Sequence, residues 1–125
     1  MQTDYRIAKQ VGGKGAFAHV FLTLKSRAVD EGAIVLSFRE MNSEKLPVEW
    51  VNAIEQGCAR AVALTTQRSN GPFLKCIEVE RLIYMIVDTT PEVVSAAATM
   101  ASLKALGHGD EFNLALDGSW KISAR

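Results

Sequence analysis

Residues 10–20 read Gln-Val-Gly-Gly-Lys-Gly-Ala-Phe-Ala-His-Val, a glycine-rich run that leads into strand periodicity and not into a helix. In the segment that follows, Val20, Leu22 and Leu24 fall on one face, and His19, Thr23 and Lys25 on the other. Glycine accepts φ > 0 at little steric cost, so the run predicts a β-hairpin tip over Gly12, Gly13, Lys14, Gly15 and Ala16. Lys14 and bare backbone amides would then face solvent, a geometry suited to a phosphate backbone. A plain hairpin turn is the simpler alternative.

The same run argues against two nucleotide-binding designs. Gly13–Ala18 formally fits G-x-G-x-x-[GA], but a dinucleotide fingerprint needs a helix after the glycines to meet the pyrophosphate. A phosphate-binding P-loop needs Ser or Thr after its lysine, where this chain has Gly15. No nucleotide and no cofactor is expected.

Elsewhere the pattern predicts alternating strands and helices. A strand is expected near residues 5–11, a second at 17–26, and a third where Ile34, Leu36 and Phe38 alternate after the Asp30-Glu31-Gly32 turn. Pro47 suits the first position of a helix. Its apolar stripe is Val51, Ile54, Cys58, Ala61 and Val62, opposite Glu49, Asn52, Gln56 and Arg60, and it should end near Leu64. Ser69-Asn70-Gly71-Pro72 reads as a loop.

Residues 76–82 form a fourth strand, with Glu78 and Glu80 expected on a solvent face, and Leu82–Val87 continues it or bends into a second tip. Thr90 is a natural N-cap with Pro91 behind it, and the helix Pro91–Leu106 closes at Gly107. Its alanines allow close approach to a sheet. In the tail, Phe112, Leu114 and Leu116 alternate, Asp117-Gly118 signals a turn, and Trp120-Lys121-Ile122 returns as a short strand. The order β-β-β-α-β-α is an α+β fold with helices on one face of a sheet.

Four segments resemble domain IV of elongation factor G, in the family's order. Val11–Val20 is similar to its Ser-Gly-Gly-Arg-Gly-Gln-Tyr-Gly-His-Val-like run. Leu46–Gly57 is similar to its Ile-Pro-led helix, with Gly57 late in it. Val87-Asp88-Thr89-Thr90 and Ala98-Thr99-Met100-Ala101 resemble its Val-Asp-Ser-Ser and Gly-Ser-Met-Ala segments. The resemblance covers residues 5–106 of a single domain spanning 1–125, and leaves 107–125 as a C-terminal extension. It implies a two-layer sandwich like the second domain of the fifth small-subunit ribosomal protein, with a left-handed βαβ crossover. General chain rules alone would predict a right-handed one.

In that family the hairpin tip and a second tip loop reach into the ribosomal decoding site. This chain departs at both: the family's loop Gln is Ala16, its Tyr is Phe17, and its second-tip His is Met85. Lys14 in place of Arg keeps the charge and loses the planar fork. The resemblance thus implies ribosome or structured-RNA contact through Gly12–Ala16, His19 and Met85. No GTPase motif is present. The alternative is a protein-interaction module on the same fold.

The charge pattern leaves both open. The formal net charge is zero, which argues against indiscriminate nucleic-acid binding. Residues 1–29 nevertheless carry five bases and one acid, a formal +4, and residues 30–125 carry nine bases and thirteen acids, a formal −4. The hairpin is the basic part. Cys58 and Cys76 read as packed, reduced thiols, and no Cys/His spacing suggests zinc. No nucleophile, base and orienting group can be assembled around His19, His108 or the Glu78/Glu80 pair, so no catalytic site is expected. The N-terminus does not read as a signal peptide and no apolar stretch has membrane-spanning length; a cytoplasmic location is the expectation.

Overall fold

The computed structural model describes residues 2–11, 13–27, 30, 32–39, 46–69, 74–117 and 119–125. Gly12, Glu31, Asn70-Gly71-Pro72 and Gly118, which the sequence assigns to turns and loops, lie outside the described residues. The elements run β1 (Gln2–Val11), β2 (Lys14–Ser26), β3 (Ile34–Leu36), α1 (Val48–Ser69), β4 (Lys75–Ile83), α2 (Pro91–Ala105), a 3-10 turn (Gly109–Glu111), β5 (Phe112–Asp117) and β6 (Ser119–Ala124). The expected β-β-β-α-β-α order is present, and the tail forms the expected hairpin.

Four strands make one sheet in the order β1-β2-β4-β3. β1, β2 and β4 are antiparallel neighbours, while β3 runs parallel to β4. A parallel pair needs a long crossover, and α1 supplies it. The result is the two-layer α+β sandwich, with β5 and β6 as a separate two-stranded sheet.

Alternation decides which face of the sheet is covered. Ala18, Val20 and Leu22 of β2, and Ile77 and Val79 of β4, are fully buried toward the helices. Each of the four larger side chains, Val20, Leu22, Ile77 and Val79, contributes about 1.5–3 kcal/mol by leaving water. α2 answers with Val93, Val94, Ala97, Ala98 and Ala101, all fully buried, so its small residues are core. The Thr90 cap forms as expected, its side chain accepting from the Val93 amide, with Pro91 in the first turn.

α1 and α2 lie against each other at Gly57. A Cβ there would stand 2.4 Å from the Ser95 carbonyl oxygen and 2.8 Å from Ala98 Cβ. The buried Thr99 hydroxyl lies 3.1 Å from the Gly57 carbonyl and 2.8 Å from the Ser95 carbonyl. Ser95 and Thr99 of α2 therefore sit in the helix–helix contact.

α1 extends beyond the expected end near Leu64. Thr65 and Thr66 are weak helix formers, but their hydroxyls back-bond to Ala61 and Val62 carbonyls. Arg68, in the last turn, lies over the Phe112 ring at 4.7 Å and pairs with Glu111 at 2.9 Å. Phe112 joins Ala61, Met100 and Leu103 in a second apolar cluster that fastens the C-terminal hairpin to both helices. No helix among the described residues is long and apolar enough to cross a membrane.

Candidate nucleic-acid interface

The hairpin turn is shorter than the glycine run suggests. Val11 already pairs with Lys14, and Gln10 with Gly15. Gly13 has φ +83°, as tight hairpin turns require. Gly15 and Ala16 are thus strand residues, and exposed Lys14 stands at the first position of β2.

β1 and β2 outrun the rest of the sheet, since pairing between β2 and β4 ends at His19↔Ile83. Residues 84–90 pack against the protruding end. The Phe17 amide donates to the Asp88 carbonyl at 3.0 Å, and the Thr89 hydroxyl donates to the Phe17 carbonyl at 2.7 Å. The Met85 amide in turn donates to the Thr89 hydroxyl at 2.9 Å. Gly15 lets the two segments approach closely, since a Cβ there would lie 2.6 Å from the Asp88 carboxyl carbon, the movable end of that side chain. Asp88 thus serves the hairpin through its carbonyl. Between the two segments lies a shallow cleft of about 270 Å³, with Arg6, Lys9, Gln10, Phe17, Met85 and Asp88 on its walls.

The fold thus brings Gly15, Ala16 and Met85 together, with Lys14 beside them. Phe17 is buried, and so is a support of the tip and not an apolar contact on it. Two residues not singled out in the sequence extend the apolar surface at Met85: Met85, Ile86 and Val87 are 51%, 84% and 90% exposed in succession. The signal was the apolar run from Leu82 onward, which loses its strand alternation before the Thr90 cap.

His19 lies away from the cleft, on the sheet face opposite the helices. Its Nε2 is 2.6 Å from Asp4 Oδ2, an acidic partner that sequence could not assign. Its ring contacts Phe21, with centroids 4.2 Å apart. His108 pairs with Glu111 next to the 3-10 turn. Among the described hydrogen bonds, each histidine's side-chain partner is a carboxylate.

The expectation of a solvent-facing Glu78 is overturned. Glu78 is only 3% exposed. Lys25 Nζ lies 3.2 Å from its carboxylate and Arg39 Nε 2.9 Å, and the Ser37 hydroxyl donates at 3.2 Å. Phe38 takes a positive φ of 46° between them while its ring is buried. A bulge between Phe21 and Leu22 breaks the simple alternation, and Glu80 accepts from Gln2 instead. These carboxylates tie strands together. Cys58 and Cys76 are buried thiols outside any disulfide, as expected, and burial pushes the Cys58 thiol up to about 11. Among the described residues, no cluster of His, Cys, Asp and Glu could hold a metal ion. A larger groove on the helix layer is lined by Glu49, Asn52, Gln56, Arg60, Glu92 and Trp120, so it mixes two acids with one base.

No known family model matches the chain. Among solved structures, the fold is similar to that of a Thermus thermophilus protein: TM-score 0.63 and 22% identity, over 86% of this chain and 16% of that one. The similarity is one of fold, to one segment of a much larger chain.

Proposed function

We propose that this chain is a binding module, akin to domain IV of elongation factor G, that contacts the ribosome or structured RNA through its tip. The observation that carries the reading is the joined tip. Two segments some seventy residues apart are locked by the hydrogen bonds around Thr89, and Arg6 and Lys9 line the cleft they form against one acid, Asp88, with exposed Lys14 next in sequence to Gly15 on its wall. Cations carried on a fixed backbone lose little freedom on meeting a phosphate backbone.

The test is cosedimentation with ribosomes at two salt concentrations. Binding should fall with salt through counterion release, and Lys14→Glu should weaken it further. Unchanged binding in that variant would remove the tip from the account. The exposed Met85-Ile86-Val87 run favours a second reading, contact with an apolar groove on a protein partner. Under that reading Ile86→Asp abolishes binding, Lys14→Glu does not, and salt matters little.

A further inference from the structure

The face of the four-stranded sheet turned away from the helices carries a line of rings. Phe17, His19 and Phe21 alternate along β2 and therefore point the same way. None belongs to the main apolar core, which takes Ala18, Val20 and Leu22 from the intervening positions. Phe17 is covered, but His19 and Phe21 are only half-buried, and they lie in contact at 30° between ring planes. Asp4 holds the imidazole through its Nε2, so the ring is fixed in orientation.

Two arginines bracket this line. Arg6, from β1, stands 5.5 Å from the Phe17 ring centre, and Arg81, from β4, stands 5.8 Å from that of Phe21. Both are exposed. At such distances a guanidinium is held by the ring's negative face yet can still turn toward an anion. Flat rings flanked by exposed guanidinium groups suit one chemistry in particular. An unpaired base stacks on the ring while the arginines meet the phosphates on either side. A base paired within a duplex has its faces covered and cannot use such a surface.

We infer that the His19–Phe21 surface is a stacking shelf for single-stranded RNA, distinct from the tip cleft. The inference rests on the RNA reading above and narrows it to an unpaired segment. Arg6 faces both the shelf and the cleft, so a strand leaving the tip can run onto the sheet.

The test is fluorescence anisotropy with labelled oligoadenylate, oligouridylate and an RNA duplex of equal length. Single strands should bind and the duplex should bind more weakly. Phe21→Ala and Arg81→Glu should each weaken single-strand binding about tenfold or more, as loss of one stacking or bracketing group does. Lys14→Glu should change it far less. Arg81 is exposed, so its variant tests the shelf even if Phe21→Ala loses stability in thermal unfolding. Single-strand binding unchanged in both variants, or equal affinity for the duplex, would overturn the shelf. So would displacement of the RNA by an acidic polypeptide at equal charge concentration. Ribosome cosedimentation by the wild type without any single-strand binding would sink the shelf and leave the tip standing. Loss of both would sink the RNA reading itself.

Discussion

Replacing Gly57 with Ala sets two terms of opposite sign against each other. In an isolated helix the change stabilises by about 1 kcal/mol, because Gly is among the poorest helix formers. At this position the new methyl would stand 2.4 Å from the Ser95 carbonyl oxygen, where ordinary contact begins at 3.4 Å. The obstacle is backbone of α2, with Ala98 Cβ and the Thr99 amide close behind at 2.8 and 3.1 Å. No flexible side chain can swing aside, so the helices must part by about 1 Å. Parting strains the contact between Thr99 and the Gly57 carbonyl and loosens the alanine face of α2 on the sheet. Overpacking of this kind costs about 1–3 kcal/mol, and a rigid backbone obstacle belongs at the upper end. The net expectation is a loss of about 2 kcal/mol, several degrees or more in Tm for a domain of this size. Urea unfolding followed by far-UV circular dichroism should show a lower midpoint at unchanged slope. An equal or higher midpoint would mean that propensity wins and that the helices do not touch at Gly57.

Gly15→Ala makes the converse case. Its obstacle is the free end of the Asp88 side chain, which can rotate, so the loss should stay within about 0.5 kcal/mol by the same assay. Ala97→Leu or Ala101→Leu forces extra volume into a fully buried layer and should cost about 1–3 kcal/mol; variants with the wild-type denaturant midpoint would place that face of α2 outside the core. The Cys58 thiol, near 9 when exposed and pushed up to about 11 in the fold, stays neutral after the unfolded chain has begun to lose its proton. Its contribution to stability is therefore full below pH 9 and declines as pH rises toward 11, and Cys58→Ala should flatten that decline in urea midpoints taken across the range. Iodoacetamide at about pH 8 should modify Cys58 in the denatured chain and leave it unmodified in the native one, as peptide mass spectrometry would show.

Most of the fold could be read from local chemistry. Period-two alternation marked β2 and the tail hairpin, and the Thr90-Pro91 pair marked the start of α2 because capping is decided within one turn. What escaped were features fixed by distant partners. Glu78 alternates like a solvent-facing residue, yet Lys25 of β2 and Arg39 beyond β3 converge on it. α1 continues past Leu64 because Arg68 finds Phe112 and Glu111, more than forty residues away. Period alone says which residues share a face, and not what covers that face.

The candidate site divides in the same way. The glycines and Lys14 announced a tip, but nothing in their spacing joins them to Met85; the resemblance supplied that pairing, and the Thr89 hydroxyl is the atom that makes it. His19 looked solitary because Asp4, its partner, lies on the neighbouring strand, and Arg6↔His19 is the pair that directly faces across. Both candidate surfaces rest on β2: its start carries Lys14, one face carries His19 and Phe21, and the other face is core. The strand is pinned on its covered side by fully buried Ala18, Val20 and Leu22. Substitutions at Lys14 and Arg81 should therefore alter binding without altering the fold. If Lys14→Glu and Arg81→Glu prove independent in their effects, the tip and the shelf are separate contacts. A joint loss far from the sum of the two would mean that one continuous strand spans both.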